Sequence, residues 1–171
     1  MDSLAEQEFR QYVAARQGGL FRIAMLLTGH REDAKDLLQT ALIKLALHWT
    51  RLASSGSADA YVRKILYNQQ VSRWRSRRHR MEYATAHPPD IRITGDPATD
   101  TTLRLTLDGV LRLLTKRQRA VVVLRYYEDL PESEVAEILG CSVGTVRSQA
   151  HRSLARLRAL CPELTSIKET A

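Results

Sequence analysis

The sequence predicts an all-α protein of two small helical domains joined by a flexible linker. Three observations carry that reading. Apolar residues recur at helical spacing through most of the 171-residue chain. Alternating apolar and polar residues of the strand type are almost absent. Between Met81 and Thr102 the helical period is lost among Pro88, Pro89, Gly95 and Pro97. The expected boundaries are therefore a first domain at 5–80, a linker at 81–102 and a second domain at 103–163.

In the first domain, a helix is expected from Glu6 to Leu27, burying Phe9, Val13, Leu20, Phe21, Ala24 and Leu27, with Gly29 closing it. Gly18 and Gly19 fall inside that helix and suggest a kink or break. A second helix follows, with Glu32 and Asp33 near its N-terminus, where negative charge suits the helix dipole. Its apolar set is Leu37, Leu38, Ala41, Leu42, Leu45 and Ala46. Ser54-Ser55-Gly56-Ser57 reads as a loop. A third helix should run from Ala58 to Arg78, with Val62, Ile65, Leu66 and Gln69 at core-like positions.

The second domain begins near Leu103. Leu107, Val110, Leu111 and Leu114 mark one amphipathic helix. Thr115 and Gln118 fit a capping box for the next, which carries Val121, Val122, Leu124 and Tyr126. Pro131 suits the start of a further helix, where its missing N–H costs little. Val135, Ala136, Ile138 and Leu139 should pack that helix onto the last one.

Leu139 to Arg152 carries the clearest motif. Gly140 supplies the left-handed conformation at a helix end, and Ser142 is a good N-cap for the next helix. Val143, Val146, Ala150, Leu154 and Leu157 then form an apolar stripe. Thr145, Ser148, Gln149 and Arg152 share another face, at i, i+3, i+4 and i+7. Hydroxyls, an amide and a guanidinium are the groups that read base edges and hold phosphates in a major groove. The segment reads as a helix-turn-helix.

Charge agrees. The formal net charge is +7, which favours a polyanionic partner through counterion release. Arginine is concentrated at the end of the third helix, between Val71 and Arg80. On the same helix Arg63, Tyr67, Gln70 and Trp74 share a face, and aromatics interleaved with arginines suit melting or single-stranded DNA. The same residues also admit Tyr67 and Trp74 as packing residues and the arginines as a solvated helix end. Cys141 and Cys161 are too few for a disulfide scaffold, and Cys141 reads as a small buried thiol in the turn. His30, His48, His79, His87 and His151 have no zinc-site spacing. No metal or cofactor is expected. No phosphate-binding glycine loop or nucleophile–base pair marks an enzyme. The acidic N-terminus lacks a secretory pattern and no apolar run spans a bilayer, so a cytoplasmic location without membrane insertion is expected.

Two motifs resemble those of the extracytoplasmic-function (ECF, group 4) sigma factors of bacterial RNA polymerase. Asp33-Ala-Lys-Asp-Leu-Leu-Gln-Thr-Ala-Leu42 is similar to their region 2.2. Ser142-Val-Gly-Thr-Val-Arg-Ser-Gln149 is similar to their region 4.2 recognition helix, and Tyr61 to Arg80 corresponds to regions 2.3 and 2.4. Gln149 and the Tyr61-Val-Arg-Lys64 start resemble an actinobacterial, SigE-like subgroup. The resemblance implies a promoter-specificity subunit that binds core RNA polymerase at the β′ clamp helices and the β flap. Asp33, Asp36, Leu37, Gln39 and Thr40 would dock on polymerase. The Ser54–Ser57 loop with Arg63, Tyr67, Asn68, Gln70 and Trp74 would capture the −10 element, while Arg73, Arg75, Arg77 and Arg78 hold phosphates. Ser142, Gly144, Thr145, Arg147, Ser148, Gln149, His151 and Arg152 would contact the −35 element, with Gly144 admitting a phosphate to the helix N-terminus. An anti-sigma factor is a further candidate partner. Three residues depart from the family's habit. Thr40 stands where an acid is common, Ser72 where an aspartate is frequent, and Gln149 where an arginine is frequent. The residues alone also admit a stand-alone helix-turn-helix regulator that binds duplex DNA as a dimer, although it leaves Asp33–Leu42 and the arginine-rich helix without a role.

Overall fold

The structure, a computed structural model, describes residues 3–84 and 107–160, without the side chains of residues 75, 77–84 and 107. All regular elements among them are helical. The chain divides into two compact units, residues 1–73 and 74–171.

In the first unit, α1 (Ser3–Thr28) packs along α2 (Arg31–Leu47). Leu20, Ile23, Leu26 and Leu27 of α1 meet Leu37, Ala41 and Leu45 of α2 in the core. The helix runs without interruption through Gly18 and Gly19, contrary to the expected break. A Cβ at either would meet no neighbour, and both are exposed, so neither packing nor a turn claims them. Gly29, at φ 75°, ends α1, and its N–H donates to the Met25 carbonyl at 2.7 Å. The Thr28 hydroxyl donates to the Ala24 carbonyl at 2.8 Å in the same turn.

A short helix, α3 (Trp49–Ser54), was not legible in the sequence. It forms because Trp49 and Leu52, three residues apart, both bury. The Trp49 ring meets Phe9 edge-on at 5.2 Å and Tyr12 at 5.1 Å. The helix ends at the expected loop. Gly56, at φ 65°, gives Gly56 N–H to Ala53 carbonyl and Ser57 N–H to Leu52 carbonyl, the paired bonds of a Schellman close. Helix α4 (Ala58–Ala84) then starts, with Val62, Leu66 and Val71 inward, and its residues from Trp74 on are counted with the second unit. It passes the expected end at Arg78 and takes in the first residues of the expected linker. The remainder of that linker, from residue 85, lies outside the described residues.

The second unit holds α5 (Leu107–Arg112), α6 (Lys116–Val122), α7 (Glu132–Leu139) and α8 (Val143–Leu160). The Thr115–Gln118 capping box is present, with both reciprocal bonds made. Arg119 is buried, and its Nε–H donates to the Leu111 carbonyl at 2.9 Å, satisfying an acceptor at the end of α5. Burial, with Arg112 nearby, lowers its pKa. After α6 the chain widens into a π-helical turn, Val123–Tyr127. The wider turn rotates each residue less than an α-turn does. Val121, Val123 and Leu124 stay buried, but Tyr126 leaves the expected apolar stripe and is 52% exposed.

Candidate DNA- and polymerase-binding surfaces

Helices α7 and α8 form the expected helix-turn-helix. Gly140 adopts φ 59°. Its N–H reaches the Glu137 carbonyl and that of Cys141 reaches Ala136, a second Schellman close. Cys141 is half-buried rather than buried. The Ser142 hydroxyl accepts the Thr145 N–H at 3.2 Å, capping α8. Val146, Ala150, Ser153 and Leu157 face inward, while Val143 and Leu154 are half-buried. Ser153 is a buried residue the apolar pattern missed. Its hydroxyl donates to the Gln149 carbonyl at 2.6 Å, so a polar group is carried inward without loss.

The exposed strip of α8 is Gly144, Arg147, Ser148, His151 and Arg152. Thr145 and Gln149 sit half-buried at its flank, and the Thr145 hydroxyl is 2.9 Å from that of Ser142. The strip is thus rotated relative to the expected Thr145–Ser148–Gln149–Arg152 face. Packing against α6 and α7 sets the rotation, and sequence spacing alone does not reveal it. The Arg147 Nε–H donates to Glu132 on α7 at 2.7 Å. Gly144 is open: a Cβ there would meet only the Ser142 hydroxyl, at 3.8 Å.

On α2, Asp36 and Gln39 are exposed, and Asp33 and Thr40 half-buried. The Thr40 hydroxyl donates to the Asp36 carbonyl at 2.7 Å. Leu37 is corrected: it is fully buried, so its side chain supports the helix from beneath and presents nothing at the surface. A groove of about 470 Å³ runs between α1 and α2 and includes Gln39 in its lining. Phe9, Val13 and Phe21, expected as core, line this groove from α1 and are only half-buried. Leu38, Leu42 and Ile43 line it from α2, with Ile43 56% exposed. The apolar part of this surface was hidden in the sequence because groove and core residues look alike in an apolar stripe.

On α4, one expected DNA contact is corrected by its packing. Tyr67 is 4% exposed and belongs to the core. Gln70 is half-buried, and its amide donates to the Leu27 carbonyl at 3.3 Å, covering an acceptor near the end of α1. Asn68 is exposed, and Arg63, Arg73 and Trp74 are half-buried. The side chains of Arg75, Arg77 and Arg78 lie outside the described ones. The first turn of α4 is held to α1 by Asp59, which accepts the Tyr12 hydroxyl at 2.6 Å and pairs with Arg16 at 2.7 Å. Burial foremost, then this bond to a carboxylate, raises the Tyr12 pKa above its ordinary value. The Ser54–Ser57 loop is exposed at Ser54 and Ser55, and the Ser55 and Ser57 hydroxyls are 2.6 Å apart.

A helix-turn-helix with an exposed basic strip, carried with a separate helical unit, defines a DNA-binding transcription protein. Comparison narrows the class. Residues 12–80 match sigma-70 region 2, and residues 104–157 match sigma-70, region 4. The chain is 41% identical over 151 residues to the RNA polymerase sigma-E factor of Streptomyces avermitilis, covering 88% of this chain and 83% of that protein. It is 42% identical over 152 residues to the sigma-E factor of Streptomyces coelicolor, covering 88% and 84%. A solved structure of the sigma factor RpoE with the anti-sigma factor NepR, from Bartonella quintana, is similar at a TM-score of 0.59 and 26% identity. That match covers 91% of this chain and 98% of the RpoE chain. The chain belongs to the ECF group of sigma-70 RNA polymerase sigma factors. It is a promoter-specificity subunit that directs core RNA polymerase to promoters, and the family consists of initiation factors that act in the cytoplasm. Among the described residues no helix is long and apolar enough to cross a membrane.

Proposed function

We propose that the two recognition tasks divide between residues 5–80 and 103–163, joined by 81–102, with no catalysis by this chain itself. The α8 strip of Gly144, Arg147, Ser148, His151 and Arg152 enters the −35 major groove, with Ser142, Thr145 and Gln149 at its edge. The end of α4, through Asn68, Arg73, Trp74, Arg75, Arg77 and Arg78, meets the −10 element together with the Ser54–Ser57 loop. Arg63 and Gln70 stand at the flank of that surface, and Tyr67 shapes it from within. Asp33, Asp36, Gln39 and Thr40 dock on the β′ clamp helices, with the apolar groove beside Gln39 adding buried area. The second unit meets the β flap. Cytoplasmic location follows from the task.

The observation that carries this reading is the helix-turn-helix. Its capped turn holds α8 with a buried face inward and a basic, hydroxyl-bearing strip outward. The Bartonella complex, a sigma factor bound to an anti-sigma factor, supports an anti-sigma partner for this chain as well. The decisive experiment mixes the full chain with bacterial core polymerase and assays initiation on a promoter library. Co-elution and sequence-selective transcripts are expected. No association, with symmetric duplex binding by the chain alone, would replace this reading with a dimeric regulator.

A further inference from the structure

Arg147 and Glu132 form an ion pair across the helix-turn-helix. Arg147 lies in the second turn of α8, and Glu132 opens α7. The contact is a single Nε–H to Oε2 bond of 2.7 Å. The arginine side chain is 69% exposed and the glutamate 30% exposed, so the pair stands at the edge of the DNA-facing strip. Helical geometry, at about 100° per residue, puts Arg147 about 100° round α8 from Ser148, toward α7. In this motif the first helix crosses the DNA backbone while the second enters the groove. Arg147 is therefore placed between groove and phosphates.

The bond has two physical consequences. It uses Nε, which biases the direction of the guanidinium and leaves the two terminal nitrogens as a fork. It also sets a negative charge against the positive one, which weakens the attraction of Arg147 for any phosphate that happens to be near. A free arginine would add to binding on every sequence, because phosphate contacts carry no sequence information. A paired and oriented one rewards only the site whose groups meet its fork.

We propose that Glu132 is a specificity-determining positioning residue: it orients Arg147 and holds down its indiscriminate phosphate binding, so that this arginine contributes to −35 selection. This rests on the assignment of α8 to the −35 element. Glu132 itself touches no base and acts through Arg147.

The test uses the full chain bound to core polymerase and a promoter library randomised across the −35 region, with a scrambled duplex as the non-specific probe. Wild type, Glu132→Gln, Arg147→Ala and the double variant are compared, and melting curves check that each is folded. Glu132→Gln is expected to bind the scrambled duplex more tightly and to lower the ratio of selected to scrambled binding about two- to fivefold, the scale of an exposed ion pair. The slope of log K against log salt should steepen by up to about 0.9, one more phosphate contact. In the Arg147→Ala background the same substitution should leave ratio and slope nearly unchanged. An unchanged ratio in Glu132→Gln, with a selective wild type, overturns the proposal alone. An equal effect with and without Arg147 also overturns it, because Glu132 would then act only as a diffuse charge. A wild-type holoenzyme with no −35 preference overturns the α8 assignment and the proposal with it.

Discussion

Asp36 and Leu37 are neighbours on α2 with opposite fates, and side-chain direction is the reason. Asp36 points to solvent and Leu37 is fully buried. Asp36→Arg should therefore abolish co-elution with core polymerase and leave the melting temperature unchanged. Leu37→Ala should lower stability by about 2–5 kcal/mol, read by urea titration, through lost burial and the cavity left behind. Polymerase binding would then fall only as far as folding does. Equal stability loss in both variants would sink the docking role of Asp36. Tyr12 allows a prediction in pH. Its proton is held more tightly in the folded chain than at the ordinary value of 10.0. The unfolded chain therefore binds fewer protons above that value, and stability falls as pH rises past it. Tyr12→Phe should flatten this alkaline loss between pH 10 and 11 in denaturation midpoints. An unchanged slope would show that the Tyr12–Asp59 bond does not carry it.

Elements were legible in the sequence where their ends carry unambiguous chemistry. The Thr115–Gln118 box, the Gly140 turn and the Ser142 cap are local motifs whose partners lie within a few residues. Helix α3 was missed because its reason is tertiary: Trp49 turns inward to meet Phe9 and Tyr12, far away in sequence. The rotation of the α8 strip was missed likewise, and the burial of Tyr67 was left open, since spacing shows which residues share a face but not which neighbour covers it. Gly144 joins element to function. It lies in the first turn of α8 with room for a methyl group. Gly144→Ala should stabilise the unit by about 0.5–1 kcal/mol in thermal or urea unfolding, as glycine-to-alanine changes in helices do. The same variant should weaken −35 binding if a phosphate approaches the helix N-terminus at this point. A stabilised protein with undiminished −35 affinity would remove Gly144 from the interface.

Across the molecule, the proposed function joins two contacts on one chain. Residues 12–80 and 104–157 match separate sigma regions. The proline-bearing composition of residues 81–102 predicts a tether between them. A tether turns the second contact into an intramolecular event, with an effective concentration in the millimolar range for a short linker. Severing the chain within residues 85–102 and adding both halves at micromolar concentration should therefore lower initiation by about 10² or more on promoters that need both elements. Inserting a flexible Gly/Ser segment that doubles the linker should be far milder, about threefold, because effective concentration falls roughly as the −3/2 power of length. Promoters with a strong −10 element alone should feel neither change as sharply. Single-round transcription with wild type, the severed pair and the lengthened chain separates these cases. A severed pair as active as the intact chain would mean that polymerase itself holds each unit tightly enough, leaving the linker no part in promoter selection.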